Sequence, residues 1–125
     1  EINVVIESFG FKNGIPVDAD IMADVRFLPN PFWTENLKHE NGLHPDVQAF
    51  VLGQADVEQY LSGLVAMLEP TLRGYIREHK RNATIAIGCT GGKHRSVAIA
   101  DELSRRIGTI PGVAVSLKHR DLGLE

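Results

Sequence analysis

A single cysteine, Cys89, in 125 residues leaves no partner for an internal disulfide and too few thiols for a cysteine-rich zinc site. No apolar run approaches the ~20 residues needed to cross a bilayer, and Glu1 to Ile6 lack the basic start and long apolar stretch of a secretion signal. A soluble, cytoplasmic domain with no membrane partner is the expectation. The five histidines, at 39, 44, 79, 94 and 119, show no metal-ligand spacing, so no metal site is expected. Nor is the chain basic: 13 Lys and Arg against 16 Asp and Glu give a formal charge of −3, so any nucleic-acid site would have to be a local patch. Internal repeats and low-complexity tracts are lacking as well. The chain also has no initiator Met and enters strand-like sequence at once, which suggests a domain of a longer protein.

What is present suits one ordinary domain over residues 1–125, with 43% hydrophobic and 23% charged residues. Ile2 to Phe9 reads as a strand with at least one buried face. Asp18 or Asp20 could cap a short helical turn over Ile21, Met22 and Ala23. Val25 to Leu28 reads as a second strand, stopped by Pro29-Asn30-Pro31. A patternless polar loop of roughly fifteen residues then reaches His44, long enough to suggest a partner-binding or lid role. Pro45 opens a short helix before Gly53. From Val57 to Ile76 apolar residues recur every three or four positions, with a kink expected at Pro70. Thr84 to Cys89 suits a central strand covered on both faces, and Val97, Ala100, Leu103 and Ile107 mark a helix. Val113 to Leu117 resumes a strand before a polar tail from Lys118 to Glu125. The fold class that follows is α/β, a small layered domain with a central, mostly parallel sheet and flanking helices.

Between the third strand and the third helix lies Cys89-Thr90-Gly91-Gly92-Lys93-His94-Arg95-Ser96. Glycines at that junction let the backbone approach a ligand closely, and free amides at a helix start favour an anion. Lys93, His94 and Arg95 add positive charge, while the hydroxyls of Thr90 and Ser96 can donate to remaining oxygens. The bland alternative is a tight turn with solvated basic side chains. A Walker A loop is excluded, because only three residues separate Gly88 from Gly92 and His94 follows Lys93. The spacing Cys89-x5-Arg95-Ser96 also resembles the phosphate loop of cysteine-dependent phosphatases, in which a thiolate attacks phosphorus and arginine clamps its oxygens. Asp24 or Asp121 could serve as the acid, but neither stands in a context that identifies one. The residues themselves favour Cys89 as a small buried or ligand-lining thiol over a nucleophile. Basic residues at 77, 80, 81, 105, 106, 118, 119 and 120 support RNA binding only weakly.

Three segments, ESFGFKNGIPVDAD (Glu7 to Asp20), DVRFLPNP (Asp24 to Pro31) and IGCTGGKHRSVAIADEL (Ile87 to Leu103), resemble the C-terminal domain of the RapZ/YvcJ family in the right order and across nearly the whole chain. The resemblance implies a non-catalytic sensor module. It would bind glucosamine-6-phosphate or a similar phosphorylated metabolite, in a protein that elsewhere carries a P-loop domain for ATP or GTP. This domain itself is then expected to hold no cofactor. Small RNA, an endoribonuclease and a second copy of the chain are the partners implied. Carried over by position, Cys89, Thr90, Gly91, His94 and Arg95 match the family's pocket loop, and Lys12, Asp24 and Arg26 match motif residues expected to reach sugar or phosphate. Phe32 stands where the family's RNA adapter has histidine, and Asp121 to Glu125 replace a basic tail, which weakens the electrostatic case for RNA.

Overall fold

Four strands and three helices make up the chain in the computed structural model, which describes residues 1–124. In order they are β1 (Ile2–Gly10), β2 (Ile21–Asp24), α1 (Pro45–Leu52), α2 (Val57–Arg77), β3 (Asn82–Cys89), α3 (Arg95–Ile107) and β4 (Val113–His119). The sheet order is β2-β3-β1-β4 and every pairing is parallel. The steps from β2 to β3 and from β3 to β4 cross the sheet in the same direction. Right-handed crossovers therefore lay the helices on one face.

The side-chain alternation of the strands agrees with that layering. Ile2, Val4 and Ile6 of β1 and Ala83, Ile85 and Ile87 of β3 join Val47 and Val51 of α1, Leu61, Leu68 and Leu72 of α2, and Ile99, Leu103 and Ile107 of α3 in one buried cluster. Phe9 and Ala86, out of phase with those residues, are buried outside that cluster. Phe9 meets the edge of Phe11 at 4.8 Å between centroids, and the Arg120 guanidinium lies 5.5 Å from its ring. The three- and four-residue periodicity of α2 continues through Pro70 to Arg77. His44 caps α1, its Nδ1 accepting from the Asp46 amide at 3.1 Å with Pro45 in the first turn.

Two local expectations fail between β1 and α1. Ile21 to Ala23 form a strand rather than a helical turn, because Ile21 and Ala23 pair in register with Ile85 and Ile87 and take the core-facing side. Asp20 caps no helix: its Oδ2 accepts from the Thr84 amide at 2.9 Å and its Oδ1 pairs with Lys80 Nζ at 3.0 Å, tying the edge strand to β3. Val25 to Leu28, in turn, are a turn and not a strand. The Val25 amide still reaches the Gly88 carbonyl at 2.9 Å, then the Leu28 amide folds back to the Val25 carbonyl at 3.2 Å. The loop that follows has order of its own, with a 3-10 turn at Pro31–Trp33 and a buried Leu37. At the other end, β4 continues through Lys118 to His119, and Asp121 is buried within what was expected to be a polar tail. Glu125 lies outside the described residues.

Candidate functional site

All four strands run the same way, so Gly10, Asp24, Cys89 and His119 end at one edge of the sheet, where ligand sites of open α/β sheets form. The chain leaves β1 toward one side of the sheet and β3 toward the other, which opens a crevice between those two strand ends. The loop of residues 90–94 fills its mouth. Gly92 there is left-handed, with φ of +75°, a conformation that a side chain disfavours. Its neighbour across the crevice, Gly10, sits so close that a Cβ would overlap the Gly91 carbonyl carbon. Asp121 holds Gly10 in place, its Oδ2 accepting from the Gly10 amide at 2.7 Å while Arg120 grips both carboxylate oxygens at 2.8 and 2.9 Å.

Against this loop lies a pocket of about 160 Å³ lined by Lys12, Asn30, Phe32, Cys89, Gly91, Lys93, His94 and Arg95. Among the described residues, no protein group accepts a hydrogen bond from the backbone amides of residues 91–97. Such a run of free donors at a helix start is the arrangement that holds an oxyanion. Arg95 is 5% exposed, and its Nη1 donates to the Arg26 carbonyl at 2.8 Å and the Leu28 carbonyl at 3.0 Å. Nη2 reaches Thr90 Oγ1 at 3.3 Å, and the buried Nε has no partner. The Nη1 end of the guanidinium thus anchors the turn after β2, while Nε makes no hydrogen bond.

His94, the residue before α3, is buried to 5% exposure with Nε2 unpartnered. Burial holds its imidazole below the ordinary histidine value, helped by Lys93 and Arg95 and opposed by the Glu40 and Lys38 carbonyls. The ring is therefore neutral at pH 7. Cys89 is buried, and its Sγ lies 3.1 Å from Ser96 Oγ, which places Ser96 behind the thiol and not on the pocket wall.

A glycine loop with free amides thus meets a helix start at the carboxyl edge of a parallel sheet, and the sequence comparisons show the family that this chain belongs to. Residues 2–123 match the model of the RapZ C-terminal domain. This chain belongs to the RapZ C-terminal domain family. Its relatives include nucleotide-binding proteins of Clavibacter michiganensis, 57% identical over 124 residues, and of Leifsonia xyli, 55% identical over 125 residues. Another from Mycolicibacterium smegmatis is 53% identical over 123 residues. These alignments take in 99%, 100% and 98% of this chain but only 43%, 42% and 42% of the relatives, so the chain spans about two fifths of their length.

In this RapZ C-terminal domain the carried-over positions fall into two groups. Lys12, Cys89, Gly91, Lys93, His94 and Arg95 converge on the pocket, with Thr90 and Gly92 in the same loop. Asp24 and Arg26 instead pair with each other at the exposed rim, Nη2 to Oδ2 at 2.7 Å, and Arg26 stacks on Phe11 at 3.8 Å. That hydrogen-bonded pairing with Arg26 holds the Asp24 carboxyl below its usual range. Burial alone would raise Asp121, but Arg120, the Gly10 amide and Asn13 outweigh it and hold this carboxyl low too. Both acids considered for proton donation are thus ionised. Reading the sequence missed Asn30 as a pocket residue: its side chain caps the 3-10 turn by accepting from the Phe32 amide at 3.0 Å, which sets Phe32 on the wall. The Pro-Asn-Pro punctuation was the available signal. Among the described residues no group of three or more His, Cys, Asp and Glu is placed to hold a metal, and no helix is long and apolar enough to cross a membrane.

Proposed function

We propose that this domain binds a small phosphorylated metabolite of the phosphosugar class in the pocket beside residues 90–96. The observation that carries the reading is the run of unpartnered amides from 91 to 97, joined at one pocket by the unpartnered Nε of buried Arg95. Lys12 and Lys93 add charge for the phosphate, and the Phe32 ring offers an apolar wall for the carbon skeleton of a sugar. Glucosamine-6-phosphate, which the family resemblance implies, is the first ligand to try. Occupancy would be relayed to a partner or to the remainder of the longer protein. The name "nucleotide-binding protein" given to the relatives is then accounted for by a P-loop domain outside this chain, since the loop here lacks the Walker spacing.

Thermal denaturation with glucosamine-6-phosphate, glucosamine and inorganic phosphate tests the reading. A ligand at 100 times its Kd stabilises the fold by about 2.7 kcal/mol. Both phosphorylated compounds are expected to raise the melting temperature and glucosamine alone to leave it unchanged. No shift with either phosphorylated compound at saturation would overturn the proposal.

A further inference from the structure

The phosphate cradle closes on a thiol. Cys89 ends β3 and lines the pocket, Gly92 takes its left-handed turn three residues later, and Arg95 begins α3 six residues later with Nε buried and unpartnered. The Cys89 thiol donates to the Ser96 hydroxyl oxygen at 3.1 Å, which fixes the direction of the sulfur. An anion held by the amides of 91–97 would rest between that sulfur and the free edge of Arg95. The spacing found in the sequence thus sets thiol, hydroxyl, free amides and guanidinium on one loop, with Cys89 and Arg95 lining one pocket.

We propose that this loop catalyses cysteine-based phosphoryl transfer to water, confined to phosphate compounds whose leaving group departs without a proton, namely aryl and acyl phosphates. The proposal rests on the phosphate-binding reading above. In the first step Cys89 gives up its thiol proton to water and attacks phosphorus: an S–P bond forms, the P–O bond to the leaving group breaks, and its electron pair departs on that oxygen as a phenolate or carboxylate. In the second, water attacks the phosphocysteine. The S–P bond breaks, the thiolate returns, and inorganic phosphate and one proton are released. Free amides and Arg95 stabilise the equatorial oxygens in both steps.

The restriction follows from what surrounds the cradle. A sugar phosphate must expel an alkoxide, which needs a proton from a neighbouring acid. No carboxyl group lines the pocket among the described residues, Asp24 is bound by Arg26, Asp121 is buried under Arg120, and the neutral His94 ring has no proton to give readily. A bound phosphosugar therefore survives intact, as a sensed metabolite must, while an activated ester does not.

The test measures hydrolysis of p-nitrophenyl phosphate and of glucose-6-phosphate by this chain and by Cys89→Ser, alongside the melting shift that inorganic phosphate produces in each. The expected result is p-nitrophenol release by the wild type, lost by about a thousandfold or more in Cys89→Ser. Glucose-6-phosphate should stay intact, and the serine variant should keep its phosphate shift. A wild type that phosphate stabilises but that leaves the aryl ester intact overturns the chemistry and spares the binding reading. A wild type that phosphate does not stabilise overturns both. Equal turnover by Cys89→Ser removes Cys89 as nucleophile, and cleavage of glucose-6-phosphate removes the restriction. If the serine variant does not fold, denaturing quench of the wild type during turnover decides: phosphate retained on Cys89 supports the proposal, and an unmodified chain refutes it.

Discussion

Gly92→Ala is the substitution that most directly tests the cradle. At φ of +75° a side chain carries an intrinsic penalty of about 1–2 kcal/mol. An alanine Cβ there would also lie 2.6 Å from the Gly10 nitrogen, 2.9 Å from the Phe9 carbonyl carbon and 3.0 Å from Asp121 Cβ. Two of those atoms are backbone of a central strand and the third belongs to a side chain locked by Arg120, so none can yield freely. Overpacking of this kind adds about 1–3 kcal/mol, for a total of roughly 2–5 kcal/mol. With an unfolding entropy near 2.1 cal/mol/K per residue, each kcal/mol lowers the melting temperature by about 4 °C in a chain of this length. The expected fall is therefore about 8–20 °C, with loss of the phosphate-induced shift. Gly14→Ala is the internal control: its φ is +90°, yet nothing lies within 4 Å of the added Cβ, so only the conformational penalty applies. Thermal denaturation followed by circular dichroism, with and without phosphate, reads both variants. If Gly92→Ala melts no lower than Gly14→Ala and still responds to phosphate, the close approach of the loop to β1 is wrong.

Arg95→Ala should abolish the phosphate shift and also destabilise the fold, because it frees the Arg26 and Leu28 carbonyls; calorimetric titration that still detects phosphate would count against the role assigned to Nε. Gly63→Ala, in α2 with open space around it, should raise stability by about 1 kcal/mol, and an unchanged melting temperature would contradict that. His94 and His119 are both held below the usual histidine value, chiefly by burial, so the unfolded chain takes up protons first. Their contribution is complete above about pH 6.5 and is lost as pH falls below it. Melting temperatures recorded from pH 8 to pH 5 should decline, and His94→Asn with His119→Asn should flatten the profile. Glu58, bound by Arg106 and Ser62, is lowered to about 2, so its contribution is present above the ordinary carboxylate range and fades as pH drops from about 4.5 toward 2. An acid-unfolding curve unchanged in Glu58→Gln would disprove that linkage.

The elements legible in the sequence were those whose signal is local and repeated. The periodicity of α2 and α3 gave their buried stripes, and the strand, glycine loop and helix around Cys89 stood in unbroken series. What escaped was decided by partners distant in the chain. Val25 to Leu28 have strand-like composition, yet Arg95, about seventy residues on, takes the Arg26 and Leu28 carbonyls and fixes a turn. Ile21 to Ala23 become a strand because β3 offers them a register, which no capping rule could foresee. The tie between Asp121 and Gly10 spans 111 residues, so the turn after β4 read only as a polar tail, whereas Asp121 in it holds β1 beside the loop. Of the site, the residues within one loop could be read directly, whereas Asn30 reaches the pocket only through the fold.

A chain with a net charge of −3 holds a pocket whose charged lining is wholly cationic, and the fold achieves this by pairing acids away from it. Asp24 is taken by Arg26 and Asp121 by Arg120, each arginine within two residues of its acid, so neither carboxylate is left to neutralise Lys12, Lys93 or Arg95. Arg95 itself gives Nη1 to neutral carbonyls, which orients the guanidinium without cancelling its charge. The attraction for an anion is thus local: long-range steering by the whole molecule would favour cations, and beyond a Debye length of about 8 Å it is screened in any case. On the proposed reading, selection for phosphate would be made at contact distance, by the free amides and the guanidinium edge. A second consequence concerns the rim. Because the Arg26 pairing with Asp24 sits on the same turn whose carbonyls Arg95 holds, a ligand of the proposed class that pulled on Arg95 would also bear on that exposed turn, the route by which occupancy would reach the surface.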